Sequence, residues 1–208
     1  MPLRVQILMY DGVEEQDAIG PRDVFGHAVQ AGGQVETTLV RPSAPGEVTC
    51  FFGTRITVPT AWDPIDTELL IVPGGGDGLV HDTDVHRELA RAQEAGVVLA
   101  GVCTGVMVLS AAGLTKGRPC TTHGLAKSEL AAQGGEVVDA RVVDDGNLVT
   151  AGGVTSGIDL ALWMLYRECG PSVALGVESI MEYERRGTVW RNSGLSSQLS
   201  SHEEPACR

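Results

Sequence analysis

The sequence predicts a single α/β domain, a mainly parallel sheet flanked by helices on both faces. Three observations predict it. β-rich runs recur at residues 5–9, 35–40, 69–72, 97–102, 137–140 and 148–150, and helical periodicities separate most of them, the alternation that gives parallel strands with helical crossovers. Runs 69–72 and 97–102 are apolar throughout, as befits strands buried on both faces. The chain has 208 residues, 43% of them apolar and 20% charged, and a chain of that length buries roughly 70% of its unfolded surface in one core.

Taken in order, the first strand leads into a helix that begins around Glu15 to Asp17 and runs to Ala31. Gly32-Gly33 is its stop, and Pro21 interrupts its first turns. Asp17 therefore lies near a helix N-terminus. Between Arg41 and Asp66, Pro, Gly and Trp break up short β-prone pieces, which reads as a hairpin or a cap over the sheet edge. Further helices read at 84–95, 104–112, 125–133 and 155–169. Gly113, Gly134-Gly135 and Gly170-Pro171 close three of them. A last helix covers 172–185, and from 188 onward Ser, Gly, Asn and Glu dominate and the apolar periodicity stops. The expected division is one domain over 1–187 and a polar tail over 188–208.

Charge and composition exclude several function classes. The 27 acidic against 15 basic side chains give a net charge of -12, a surface that repels phosphate backbones and anionic membranes. No apolar run approaches the roughly 20 residues that span a bilayer. The N-terminus lacks a basic region followed by a long apolar run, so a cytoplasmic location is expected. The five cysteines are odd in number and form no CxxC pair, which fits free thiols in a reducing compartment. His27, His81, His86 and His202 have no metal-ligand spacing. Neither a metal nor a cofactor is expected. Asp82, Asp84, Asp144 and Asp145 read as solvated turns.

The informative stretch is Val97 to Leu109, where an apolar strand passes without a linker into an apolar helix, with Cys103 at the turn. Such an elbow strains its apex residue and pushes that side chain out at the strand's carboxyl end. Gly101 and Gly105 flank it with room for the turn. A thiol there faces the N-terminus of the next helix, so Cys103 is expected to be the one cysteine with a lowered pKa and a nucleophile at neutral pH. A second loop, Pro73-Gly74-Gly75-Gly76-Asp77-Gly78, also follows an apolar strand and should share that edge of the sheet. It lacks the spacing of a nucleotide site, and the amides of Gly75 and Thr104, with Gly74 beside them, are expected to form an oxyanion-type hole. Glu14, Glu15 and Asp17 follow the first strand by a short loop. One carboxylate can face the thiol, and all three equally suit a helix N-terminus. His123 opens another helix, where it can orient or protonate a substrate, or simply cap and pack.

Together these segments resemble the ThiJ/PfpI superfamily, the class I glutamine amidotransferase-like fold, which implies a flavodoxin-like architecture. The resemblance rests on Asp17-Ala18-Ile19-Gly20-Pro21, Val72-Pro73-Gly74-Gly75, Cys103-Thr104-Gly105, Thr121-Thr122-His123 and the run from Asp145 to Asp159. Within the superfamily the set is most similar to isonitrile hydratases and to the sensor domains of AraC-type regulators. It implies Cys103 as nucleophile, Asp17 as the acid/base opposite it and Thr104 beside it, acting on a small-molecule substrate. Hydration of an isonitrile to an N-substituted formamide is the leading implication. A glyoxalase- or deglycase-like thiol enzyme on small aldehydes and a non-enzymatic redox or effector sensor are the alternatives. Peptidase-like members place His where Thr104 stands, and glyoxalase-like members use Glu where Asp17 stands. No room is expected past Arg186 for the DNA-binding module of the regulators, so no nucleic-acid partner is expected. Relatives commonly pair, which implies a homodimer in which Val24 and Phe25 of the first helix bury a face against their copy.

Overall fold

The computed structural model describes residues 1–192. The strands are β1 (Leu3–Leu8), β2 (Val35–Arg41), β3 (Gly46–Thr49), β4 (Arg55–Val58), β5 (Thr60–Ala61), β6 (Leu69–Val72), β7 (Val98–Val102), β8 (Pro119–Cys120), β9 (Glu136–Val137), β10 (Val142–Asp144), β11 (Leu148–Ala151) and β12 (Trp190–Arg191). The helices are α1 (Glu15–Ala28), α2 (Thr83–Glu94), α3 (Gly105–Ala111), α4 (Lys127–Ala132), α5 (Ser156–Cys169) and α6 (Pro171–Met181). Eight strands form one sheet in the order β12-β10-β11-β7-β6-β1-β2-β5. Its pairings are parallel except β10 against β11. Helices α1, α5 and α6 pack together on one face, and α2 and α3 cover the other.

All four residues of β6 and all four of β11 are buried. A strand covered on both faces has no polar side to show, which is why these runs read as continuous rather than alternating. Because β1, β6, β7 and β11 run parallel, the loops after Leu8, Val72, Val102 and Ala151 meet at one edge, where ligands of open α/β sheets are held.

Several expectations need correction. The strand expected at 137–140 lies elsewhere: Glu136–Val137 pairs with Pro119–Cys120 in a separate ribbon, and the main sheet takes Val142–Asp144. Two similar Val-Val pairs compete there. Val142 and Val143 are buried and Val137 and Val138 only half-buried. The last helix stops at Met181, where Glu182 adopts a left-handed φ of 48° and Tyr183 closes the end by donating to the Glu178 carbonyl at 3.0 Å. The segment expected to be a tail begins as structure. Trp190–Arg191 runs parallel to β10, and the Asn192 side chain donates to Asp145 at 2.7 Å. Residues 193–208 of the expected tail lie outside the described residues.

Val24 and Phe25 are fully buried within the chain's own core, where α1 packs on α5 and α6. They cannot form the face of a dimer. Asp144 and Asp145 are buried rather than solvated, paired with Arg167 and Arg118. Asp82 caps α2 by accepting from the amides of Asp84 and Val85. Among the described residues no helix is long and apolar enough to cross a membrane.

Candidate active site

The elbow is built as the sequence implies. Cys103 leaves β7 with φ 56°, one of three non-glycine residues with positive φ among the described residues. A residue with a Cβ holds that conformation at a cost of about 1–3 kcal/mol, and only where its surroundings enforce it. Here the Cys103 amide donates to the carbonyls of Ala151 (3.2 Å) and Gly152 (3.0 Å). Its own carbonyl accepts from Thr122 Oγ1 at 2.8 Å. α3 starts hard against the sheet, since a methyl group on Gly105 would collide with the Val72 carbonyl.

The three acidic residues at the start of α1, Glu14, Glu15 and Asp17, separate by role. Glu14 caps α1 by accepting from the Asp17 amide at 2.8 Å. Glu15 faces the β3–β4 turn and accepts from the amides of Phe52 (3.1 Å) and Thr54 (3.4 Å). Asp17 alone turns inward, where it is fully buried. Its Oδ2 accepts from the Gly74 amide at 3.0 Å. Among the described residues its Oδ1 has no hydrogen-bond partner. Gly74 marks the point of convergence: a methyl there would stand 2.7 Å from Asp17 Oδ2, Thr104 N and Thr104 Oγ1 alike.

Electrostatics tie Asp17 to Cys103. Burial, then the charge of Glu14, push the Asp17 carboxyl up to about 7, against smaller opposing effects of the Gly74 amide and the Cys103 thiol. Burial, then the charge of Asp17, push the Cys103 thiol up to about 11. The expectation of a lowered thiol pKa is thereby overturned. The amides of Val154 and Thr104 do act on the sulfur in the lowering direction, but burial and a neighbouring carboxylate outweigh them. Cys120 is likewise raised, to about 11, by burial. Cys103 differs in having a carboxyl group with which to share a proton. Between those two values the pair carries one proton, on oxygen or on sulfur.

The predicted oxyanion donors are arranged differently from the expectation. The Gly75 amide donates to Thr104 Oγ1 at 3.0 Å and is not free for a substrate in this conformation. The Thr104 amide faces the sulfur, and so does the amide of Val154. Val154 has φ 40°, a rare conformation for a β-branched residue. Sequence reasoning missed it as a site residue, although a Gly-Gly turn after a buried strand at the same edge was the available signal. Tyr10 was missed as well. It is buried, donates to the Pro73 carbonyl at 3.0 Å, and is held as a neutral phenol by burial and by the charges of Asp17 and Cys103. His123 lies beside the elbow through its neighbour Thr122. Its Nδ1 accepts from the Leu125 amide at 3.2 Å, and its ring lies on Gly153, where a methyl would stand 3.0 Å from Nε2. A concavity of about 470 Å³ lined by Leu3, Glu68, Val98 and Met164 lies at the opposite edge of the sheet and contains none of these groups.

Residues 3–167 match the DJ-1/PfpI family. The chain is similar to an isonitrile hydratase from Pseudomonas putida, 34% identical over 187 residues that cover 88% of this chain and 79% of the relative. It is also similar to a deglycase from Thermococcus kodakarensis, 29% identical over 167 residues, 78% of this chain and 95% of the relative. A crystal structure of a ThiJ/PfpI family protein from Pseudomonas syringae superposes with a TM-score of 0.79 at 31% identity, covering 90% of this chain and 77% of that one.

Proposed function

The chain belongs to the DJ-1/PfpI family, and on that premise we propose that it hydrates isonitriles to N-substituted formamides through a thioimidate on Cys103. The observation that carries this reading is the buried Asp17–Cys103 pair, a thiol beside a carboxyl group that has no ion-pair partner among the described residues and is raised to about 7. An isonitrile presents an electrophilic terminal carbon that must gain both a nucleophile and a proton. A pair holding one proton in two places supplies both.

In the proposed cycle the pair reacts as thiolate and carboxylic acid. Sulfur bonds to the terminal carbon as the Asp17 proton passes to that carbon, giving a neutral thioimidate and the Asp17 carboxylate. The carboxylate then takes a proton from water as the oxygen bonds to the thioimidate carbon, and returns it to nitrogen. The tetrahedral hydroxyl gives its proton to Asp17 as the C–S bond breaks. This releases the formamide and restores thiolate and acid. The amides of Thr104 and Val154 stabilise the charge on sulfur as it attacks and leaves. Thr104 Oγ1 positions Gly75, and Gly74 positions Asp17. His123 is the next proton carrier at hand. A cytoplasmic homodimer is proposed with it, on a surface other than the buried face of α1.

The deglycase relative supports a second reading, a thiol enzyme on small aldehydes. A panel of alkyl and aryl isonitriles, with formamide followed by mass spectrometry, tests the first. Turnover by the parent and its loss in Cys103→Ser is the expected result. Consumption of methylglyoxal without formamide production would transfer the assignment to aldehydes. Oxidation of Cys103 to sulfinate with neither activity would make the domain a sensor.

A further inference from the structure

We propose that Arg141 is a positioning residue for the nucleophile: it holds the loop of residues 152–155 so that the Val154 amide stays on the Cys103 sulfur. The inference goes beyond the isonitrile reading, because it concerns the sulfur whatever the substrate. Between the end of β11 at Ala151 and the start of α5 at Ser156, four residues make the turn. One of them is Val154 at φ 40°. A β-branched residue in the left-handed region is strained and persists only where neighbours over-determine it.

Arg141 contacts this loop on both sides of Val154. Its carbonyl accepts from the Gly152 amide at 3.0 Å. Its Nη2 donates to Thr155 Oγ1 at 2.9 Å, and its Nε donates to Asp159 Oδ2 at 2.5 Å. Thr155 stands at the N-cap of α5 yet makes no side-chain cap bond to the helix, its hydroxyl being used by Arg141. The carboxylate anchor is itself fixed. Asp159 is 3% exposed, and it accepts from Tyr183 Oη and from the Arg186 amide, both at 3.0 Å. The loop and the elbow are one unit, since the Cys103 amide bonds to the carbonyls of Ala151 and Gly152. Arg141 thus holds the loop before Val154 by its backbone carbonyl and after it by a guanidinium anchored on a buried carboxylate, which is the over-determination that the strain at Val154 requires, and substitution of the side chain releases the second hold alone.

The bland alternative is that Arg141 only stabilises α5. Arg167 provides the comparison, because its pair with Asp144, at 3.1 Å, is another buried guanidinium–carboxylate contact at the far end of the same helix. Thiol ionisation by ultraviolet thiolate absorbance, and the rate of Cys103 alkylation by iodoacetamide against pH, are measured in Arg141→Gln and Arg167→Gln. Thermal melting is recorded for both. One hydrogen bond lost from a charged group corresponds to roughly tenfold, so Arg141→Gln is expected to alkylate about tenfold more slowly at fixed pH, with a higher apparent thiol pKa. Arg167→Gln is expected to lower the melting temperature and leave the alkylation profile of Cys103 unchanged. Parent-like alkylation in Arg141→Gln, or equal slowing in Arg167→Gln, overturns the proposal. Where Arg141→Gln does not fold, Arg141→Lys takes its place. A lysine reaches Asp159 or Thr155 but not both, so slower alkylation supports the proposal and a parent-like rate overturns it. Alkylation needs no substrate, and a failure of the hydratase assay leaves this test intact.

Discussion

Asp17 and Asp144 are both buried carboxylates, 0% and 5% exposed, and the protein treats them in opposite ways. Asp144 accepts from Arg167 Nη1 (3.1 Å), Trp163 Nε1 (2.8 Å) and the Gly146 amide (2.8 Å). It is a charge with partners on both oxygens. Asp17 has one amide on Oδ2, nothing on Oδ1, and no ion-pair partner among the described residues. Leaving a buried carboxylate without a cation is costly unless it is protonated. One region is arranged so that charge stays in place, and the other so that a proton can move. Strain follows the same division, since Cys103 and Val154, with φ of 56° and 40°, both lie at the Asp17 end.

The largest expected effect breaks the Asp17 side. Asp17→Asn keeps an acceptor for the Gly74 amide but cannot donate and recover a proton, so turnover should fall roughly 10²–10⁴-fold, the range of a general acid/base group. In the parent, activity should rise as the pH passes about 7, where the pair drops from two protons to one, and fall near about 11, where the last proton leaves. Asp17→Asn should lose the acidic limb. Near-parent turnover in Asp17→Asn would make Asp17 a helix-start residue and move the acid to His123.

Next in size is the converse change. Asp144→Ala leaves Arg167 buried without its carboxylate, and breaking such a pair costs about 3–5 kcal/mol. Urea unfolding should show that loss, while Cys103 alkylation in the folded protein stays at the parent rate. Slower alkylation in Asp144→Ala would mean that the two regions are not separable.

What was legible in the sequence is what local pattern controls. The sheet follows from apolar runs and the helix stops from glycines. The elbow follows from the direct passage of Val102 through Cys103 into Gly105. The rest depends on groups distant in the chain. Asp144 and Asp145 sit in a segment that reads as a turn, and only the folded chain brings Arg167 and Arg118 to them. The helix start suggested a low thiol pKa, but burial and the approach of Asp17 from 86 positions earlier, neither of them local, raise it. Val154 carries no signal in its own residue type, because a β-branched side chain argues against the φ it adopts. Val24 and Phe25 read as an apolar face free for a partner, although their own α5 and α6 cover them.

The smallest expected effect sharpens the contrast in stability. The folded state raises Asp17 from 3.8 to about 7, whereas the unfolded chain returns it to its ordinary value. Below the unfolded value both states hold the proton and the site costs nothing. As the pH rises toward the folded value the unfolded chain ionises first, so folding loses stability across that window and reaches a lower plateau above about 7. The pair's last proton adds nothing there, since the folded pair keeps it until about 11 and the unfolded thiol keeps its own until well above neutrality. Asn at position 17 removes the titration, so Asp17→Asn should be more stable than the parent above pH 7 by on the order of 1–3 kcal/mol, a melting gain of a few degrees in a chain of this size. The gain should shrink toward zero at about pH 4, near the ordinary carboxylate value. Melting curves of both proteins across that range decide it. A gain that does not depend on pH would place the effect in packing, and a loss at every pH would mean that the ionised Asp17 is held by partners as Asp144 is.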